Sequence, residues 1–517
     1  MMQLIVRGTA VTFDDDRRVV KDAAIYITGD TIEKVQAASA TAPAGYANAK
    51  RVRVDGFVYP GLIDLHSHLA YNFLPLWSAP SDEPYDNRYK WANPDTTYGR
   101  DVGRPAEAMG IAAAAAALRY AEVKAIVGGV TAIQGSPPLT RPFPGWMVRN
   151  IEKERFPDTQ PAKQAIYQSV IPRPRAELKK AANHMRRGSS YIYHLAEGTS
   201  QKMRDEFDLI ESNGCAQQGL IGIHCTALEA ADYREWKQRA SGGGTVVWSP
   251  FSNIWLYGDT TDVLAARRHM HVCLGSDWSP SGTRNLLGEL KVAALWNRTA
   301  LAGELSAMEI CEMTTRSPGL ALEAPWGRVA GRLEAGALAD LALFARASAD
   351  PYKSLLAANE RHVKLVIVGG EPAYGLGSLM ADAGVKGDAL RVAGLPRQVR
   401  TKLPAERQPE EPDLRAAANL SWKAGMARLE AVRKDPAGEV RKARKKRAFG
   451  VVPLEYVPDM PGYEASGRVR TRRLDDDELA ELVIPPIEPL AHDKAWFDQI
   501  DRCHDHAKVL RGLRAMF

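Results

Sequence analysis

Residues 57–72 read FVYPGLIDLHSHLAYN, an apolar run that closes on His66 and His68. A short apolar stretch of this kind predicts a buried strand, and residues two apart on a strand project from one face. Both imidazoles therefore reach toward a common point, where a metal ion accepts them; on a helix the same spacing would splay them. Position adds weight, because catalytic groups in α/β barrels gather at the C-terminal ends of strands.

Working outward, apolar runs at 130–134, 165–171, 190–195, 219–224, 244–249 and 271–276 alternate with amphipathic or Ala-rich segments at 109–125, 174–187, 200–212 and 228–240. Strict alternation predicts a parallel sheet with crossover helices, and this many units fit a closed barrel better than an open sheet. The chain before residue 57 is different: short alternating strands at 4–6, 10–13, 23–27 and 52–54, with a return to strand texture over 328–375. The fold expected is α/β, a distorted (β/α)8 TIM barrel over 57–327. A small β-sandwich is built from both flanks (1–56 and 328–384), and a helical and extended C-terminal extension covers 385–517 as a lid or oligomerisation arm. The alanine run at 112–117 reads as a packed barrel helix.

The chain has 517 residues, 45% hydrophobic and 25% charged, which excludes a disordered, collagenous or disulfide-scaffold protein. Its five cysteines are scattered with no CxxC pair, so buried reduced thiols are expected rather than disulfides or a zinc ribbon. No long apolar run or secretory leader is evident, so a cytoplasmic enzyme away from membranes is expected. Of the net charge of +6, residues 386–517 carry +5 (26 Lys and Arg against 21 Asp and Glu). Part of that excess is the cluster VRKARKKR at 440–447, read as a solvated helix face rather than a nucleic-acid site.

Three more predicted strands end on metal-ligand residue types: SYIYHLAEG on His194, GLIGIHCTA on His224 and HVCLGSDWSPSG on Asp277. One such ending is commonplace; four strand ends in one chain point to a metal site. Glu197, three residues past His194, stands where a carboxylate overhangs a water without entering the ligand shell, the placement of a proton shuttle, although a helix-start glutamate reads the same way. The remaining histidines take structural readings. His504 and His506 lie in a segment predicted helical (491–513), where they face apart, and His269 and His271 precede the last barrel strand.

The runs PGLIDLHSH, HLAE, IGIHC, SPFSN and LGSDWSPSG, in that order, and the closing GRLEAGALADLALF resemble the amidohydrolase superfamily. Within it they are similar to the metal-dependent aminohydrolases that include cytosine deaminase, S-adenosylhomocysteine deaminase and the triazine hydrolases. The resemblance runs to about residue 375 and leaves the tail without a counterpart. It implies the barrel and sandwich above and one divalent ion, zinc or alternatively iron, held by His66, His68, His194 and Asp277. It makes Glu197 the general acid/base, and assigns His224 to hydrogen bonding with water or substrate, and in some members to the metal. Members with two metals bridge them through a lysine at the end of the fourth strand. Here that end reads Gln168, Ser169, Val170, Ile171, with Lys163 at the opposite end, so one metal is implied.

The expected function is hydrolysis of a carbon–nitrogen bond, deaminating a cyclic amidine or aminated heterocycle, with Glu197, His224 and Asp277 catalytic. An amide, lactam or halogenated ring as substrate, or a catalytically inactive scaffold, are the alternatives. The aromatic-rich segment 69–108 leaves the catalytic face and supplies Tyr71, Phe73 and Trp77 as expected pocket walls; Asn253, Trp255, Trp278 and Arg173 complete the expected substrate contacts. The expected partners are a small molecule and further copies of the chain.

Overall fold

The computed structural model describes residues 2–78, 82–92, 97–137, 143, 145–156, 166–170, 172–403, 408–445 and 482–517. Lys163, Ile171, the end of the basic cluster and most of the segment at 451–489 lie outside them.

Both ends of the chain form one mixed sheet. It is built from β1 (Gln3–Val11), β2 (Val19–Thr28), β3 (Thr31–Ala37) and β4 (Lys50–Pro60) with β13 (Leu341–Ala345), β14 (Val363–Val368), β15 (Glu371–Gly375), β16 (Asp388–Val392) and β17 (Leu395–Val399). The order is β16-β17-β15-β14-β13-β4-β1-β2-β3. By its hydrogen bonds it is a single nine-stranded sheet where two facing sheets were expected, and it extends past residue 384 to include β16 and β17. A shared core of Leu4, Val6, Ile25, Val58, Leu341, Leu343 and Ile367 joins the two ends. Their burial is the reason the flanks fold as a unit, since neither half covers its apolar face alone.

Gly61 separates β4 from β5 (Leu62–Asp64), so the flanking sheet feeds directly into the barrel region. A Cβ at Gly61 would stand 2.1 Å from Thr131 Oγ1, which leaves glycine as the residue that fits there. The parallel strands follow as two arcs. The first is β5, β6 (Val130–Ile133) and β7 (Arg149–Asn150); the second is β8 (Ile166–Ser169), β9 (Ser190–Leu195), β10 (Leu220–His224), β11 (Thr245–Trp248) and β12 (His271–Leu274). Each arc is parallel throughout, with a helix crossing between most neighbours.

A closed ring of strand pairing was expected, and among the described residues the ring is not continuous. The β5 and β12 ends meet through a parallel bridge between Ser67 and Asp277, with Asp277 N–H donating to His66 O at 2.8 Å. Between the first arc and β8 the contacts run through side chains: Gln134 Nε2, just past β6, donates to Gln168 Oε1 at 3.1 Å, and Gln168 Nε2 donates to Ser136 O at 3.1 Å. Inside the arcs, Ile192 lies two residues below His194 and Cys273 four below Asp277, both in a dry cluster with Ile223, Val247 and Trp326. Apolar side chains thus fill the strand interior beneath the polar rim, as the alternation of a strand requires.

The extension docks on the barrel's outer helices. Helix Trp422–Lys434 packs on helix Arg104–Ile126, and Arg428 donates to Ala112 O at 2.8 and 3.0 Å, where the long helix breaks at Ala113 (φ −149°). The predicted single helix at 491–513 is instead Lys494–Asp501 followed by a 3₁₀ stretch, Asp505–Met516. In the break, His504 and His506 stack at 5.9 Å rather than facing apart. No described helix is long and apolar enough to cross a membrane.

Crossover helices approach the strands closely. Trp236, on helix Ala230–Arg239, is fully buried and sits where a Cβ at Gly244 would come within 2.3 Å of its ring. Trp236→Ala is expected to cost about 3–5 kcal/mol of stability by opening a cavity at this contact, read as a lowered urea midpoint, with metal content unchanged.

Candidate metal centre

Four strand ends converge. His66, His68 and His194 bring their Nε2 atoms to 3.2 Å of one another in all three pairings. Asp277 Oδ1 lies 3.2 Å from His66 Nε2 and 3.4 Å from His68 Nε2. Ligand atoms about 2.0–2.1 Å from a tetrahedral zinc are about 3.3 Å apart, the spacing of these five pairs. His224 lies on the same side, its ring centroid 4.7 Å from that of His66.

The backbone aims these groups. Ala196, His224, Cys225 and Asp277 all have positive φ (53°, 66°, 54° and 55°), so the chain turns sharply as it leaves β9, β10 and β12. Non-glycine residues pay a steric cost in this region, and such strain collects at functional sites. Beneath the centre, a Cβ at Gly275 would stand 2.4 Å from His66 Cβ. Asp64 accepts from the backbone N–H groups of His66 at 3.2 Å and Ser276 at 3.1 Å, tying β5 to β12; burial pushes its carboxyl up to about 7.

Protonation states follow from burial. His66 and His194 are held well below the usual imidazole range, by loss of solvent first and then by the neighbouring imidazoles. Both are therefore neutral at neutral pH, the form that offers a lone pair to a metal. Burial likewise raises Asp277, where nearby histidines and a hydrogen bond from Ser252 act in the opposite direction. A cation among these groups reverses that penalty, because it favours the carboxylate form.

One short segment supplies the partners of most of these side chains. Ser249, at the end of β11, pairs with His66 Nδ1 at 2.7 Å. On the helix Pro250–Tyr257, Ser252 bonds the Asp277 carboxylate and Asn253 Oδ1 accepts from His224 Nδ1–H at 2.7 Å. Tyr257 OH donates to Glu197 Oε1 at 2.6 Å. Thr260 and Thr261 hydroxyls each accept from Asn253 Nδ2 at 3.3 Å, which fixes its amide so that the oxygen faces His224. With Nδ1 carrying the proton, His224 presents its Nε2 lone pair inward.

Above the centre lies a cavity of about 430 Å³, including its open mouth, lined by Tyr71, Arg88, Trp91, Tyr98, Trp278 and the site residues. Trp278 is ringed by Tyr71 (5.3 Å), Trp91 (5.4 Å) and Tyr98 (5.8 Å). Glu197 opens into this space, 3.7 Å from His224 Nε2. Arg88 is paired with Glu206 at 2.6 and 3.2 Å, so its charge is cancelled within the wall. Glu206 also accepts from Ala196 N–H at 3.2 Å, holding the turn that places Glu197.

The structure thus brings His66, His68, His194, His224, Asp277 and Glu197 together, with Tyr71 and Trp278 on the wall. Four other expected contacts lie elsewhere. Phe73 is fully buried in the core, and Trp77 packs behind Trp91 and Tyr98. Trp255 turns outward, its Nε1–H on Trp77 O at 3.1 Å, because it occupies the helix face opposite Asn253. Arg173 is half-exposed beside Glu177. Asn253 serves His224 rather than the cavity. Ser249, Ser252, Tyr257 and Arg88 were not anticipated; the polar spacing of SPFSNIWLY at 249–257, within an apolar segment, was the available signal. The described end of β8 holds no lysine, and Val170 there lines the cavity.

No protein-family model matches the sequence, and no curated protein does. Solved structures do. A mutant of atrazine chlorohydrolase from Arthrobacter aurescens TC1, complexed with zinc and atraton, aligns at TM-score 0.57 and 20% identity, over 74% of this chain and 99% of that one. An adenosine deaminase from Xanthomonas campestris with bound zinc gives 0.52 and 17%, over 74% and 97%. A guanine deaminase from C. acetobutylicum with guanine in its active site gives 0.53 and 16%, over 72% and 99%. The chain has the fold of these hydrolases. About a quarter of it has no counterpart in them.

Partners of metal-ligating groups commonly contribute 10- to 100-fold to affinity. Ser249→Ala and Asn253→Ala are expected to retain the fold while weakening zinc binding or activity by about that factor. Competition against a chromophoric chelator, with circular dichroism as the control, measures it.

Proposed function

We propose that the protein is a metal-dependent hydrolase of carbon–nitrogen bonds that deaminates a cyclic amidine or aminated heterocycle. The observation that carries this is the meeting of His66, His68, His194 and Asp277 at ligand spacing, with Glu197 beside them under an aromatic cavity. The residues fit a single divalent ion: imidazoles aimed at one point, those of His66 and His194 held neutral by burial, outer nitrogens of His66 and His224 engaged elsewhere, and one carboxylate. Zinc in two of the aligned structures supports zinc as that ion, with iron the alternative.

When bound, such an ion lowers the pKa of water from about 16 toward about 7 and supplies a nucleophile at neutral pH. Glu197 takes the water proton and returns it to the departing nitrogen. Tyr257 occupies Oε1 and orients the carboxylate, so Oε2 is the oxygen that handles the proton. His224 would accept a hydrogen bond from water or substrate through Nε2, and Asp277 would help hold the ion and orient the attacking water. Tyr71, Trp91 and Trp278 hold a flat ring by stacking or edge contact. The products are ammonia and the ring carrying oxygen in place of the amino group.

Two measurements test the proposal. Zinc-supplemented protein is expected to hold close to one equivalent; less than about 0.2 equivalents favours an inactive scaffold, because a preformed site of four ligands fills. Across a panel of aminated and chlorinated heterocycles, ammonia release is expected, whereas chloride release alone would assign a dehalogenating activity instead. Glu197→Gln is expected to keep metal and fold and lose about 10²- to 10⁴-fold in kcat.

A further inference from the structure

The helix Pro250–Tyr257 has two working faces. Its inner face, with Ser249 just before it, holds Ser252, Asn253 and Tyr257 against the centre. Its outer face presents Phe251 and Trp255 to the C-terminal segment. The Trp496 ring lies 5.3 Å from that of Phe251 at 32°. His506 Nε2–H donates to Trp255 O at 3.2 Å, and a Cβ at Gly258, the helix's left-handed cap, would meet His506 Cβ at 3.0 Å.

That segment is itself anchored next to the metal centre's own loop. Arg284, seven residues after Asp277, donates to Pro486 O at 2.6 Å and to Glu488 O, and pairs with Asp493. Asp493 Oδ1 in turn accepts from Trp496 N–H at 3.0 Å and caps the helix that carries Trp496. Trp496, Phe497, Ile500, Leu510 and Leu513 are buried in the main core.

A helix of eight residues does not hold its own position in water; what packs on its two faces sets it. Here one face is the set of groups contacting the metal centre and the other is the C-terminal segment. We infer that residues 482–517 are a positioning element of the active site, acting through the helix Pro250–Tyr257 on His224 and Glu197. Trp496 and His506 are its positioning residues. The inference rests on the reaction proposed above for its catalytic arm, while its structural arm stands independently.

The test uses the full-length, zinc-loaded chain. Trp496→Ala and His506→Phe remove the stacking and the hydrogen bond; Trp496→Phe and His506→Gln keep an aromatic ring and a donor. Lys353→Ala, on an exposed side chain outside the segment, is the control. In the first pair, amide hydrogen exchange in residues 250–257 is expected to rise at least about tenfold, and kcat to fall about tenfold or more with KM within about threefold, since small misplacements act on turnover. The conservative pair is expected to restore both readouts, and Lys353→Ala to leave both unchanged. Wild-type exchange in 250–257 in the first pair would overturn the inference, as would an equal fall in kcat in Lys353→Ala. If no heterocycle releases ammonia, the proposed reaction fails, and the exchange measurement still decides the positioning role.

Discussion

Three imidazole nitrogens held 3.2 Å apart, two on buried rings and the third on the partly buried His68, form an arrangement that a cation would relieve. Much of the surrounding structure serves that arrangement. Glycine at 275 lets β12 pass close beneath His66, positive φ at Ala196, His224 and Asp277 turns the strand ends upward, and Asp64 ties two of those ends together through backbone N–H groups. Each feature costs stability by itself, through strain or burial of polar groups. Together they keep the histidines convergent, with His66 and His194 neutral.

Electrostatics and shape then divide the work above the centre. Glu197 is the acid that faces the cavity beside the histidines, and its position comes from two directions, Tyr257 on its carboxylate and Glu206 on the preceding turn. Arg88 adds no net charge to the wall because Glu206 cancels it. The remaining wall is mostly aromatic, with Ala92 and Val170 among the rings. A pocket so built offers flat, largely apolar faces to its occupant.

Residues that announce themselves at strand ends were legible in sequence: the apolar run before His66, and the parallel runs closing on His194, His224 and Asp277, each carry their own signal. The alternation of strands and helices gave the parallel architecture, and the strand-rich flanks gave their association. Legibility stopped where a residue's role depends on which way a face turns. Phe73, Trp77 and Trp255 are aromatic and near the mouth in sequence, yet they pack away from the cavity. Tyr257 and Ser249, inconspicuous in the sequence, hold Glu197 and His66. His504 and His506 stack because the helix expected there breaks, and β16 and β17 join a sheet because an unpaired edge at β15 was available to them.

The sequence by itself determined which chemical groups are present and on which strand ends they sit, because strand periodicity and short-range spacing are local properties. Tertiary structure alone decided that those ends meet at ligand distance, that one helix and the serine before it serve four of them, and that a C-terminal segment lies against that helix. These are contacts between residues more than a hundred positions apart in several cases, such as His66 with His194, and they follow from the packing of buried faces that no local pattern encodes.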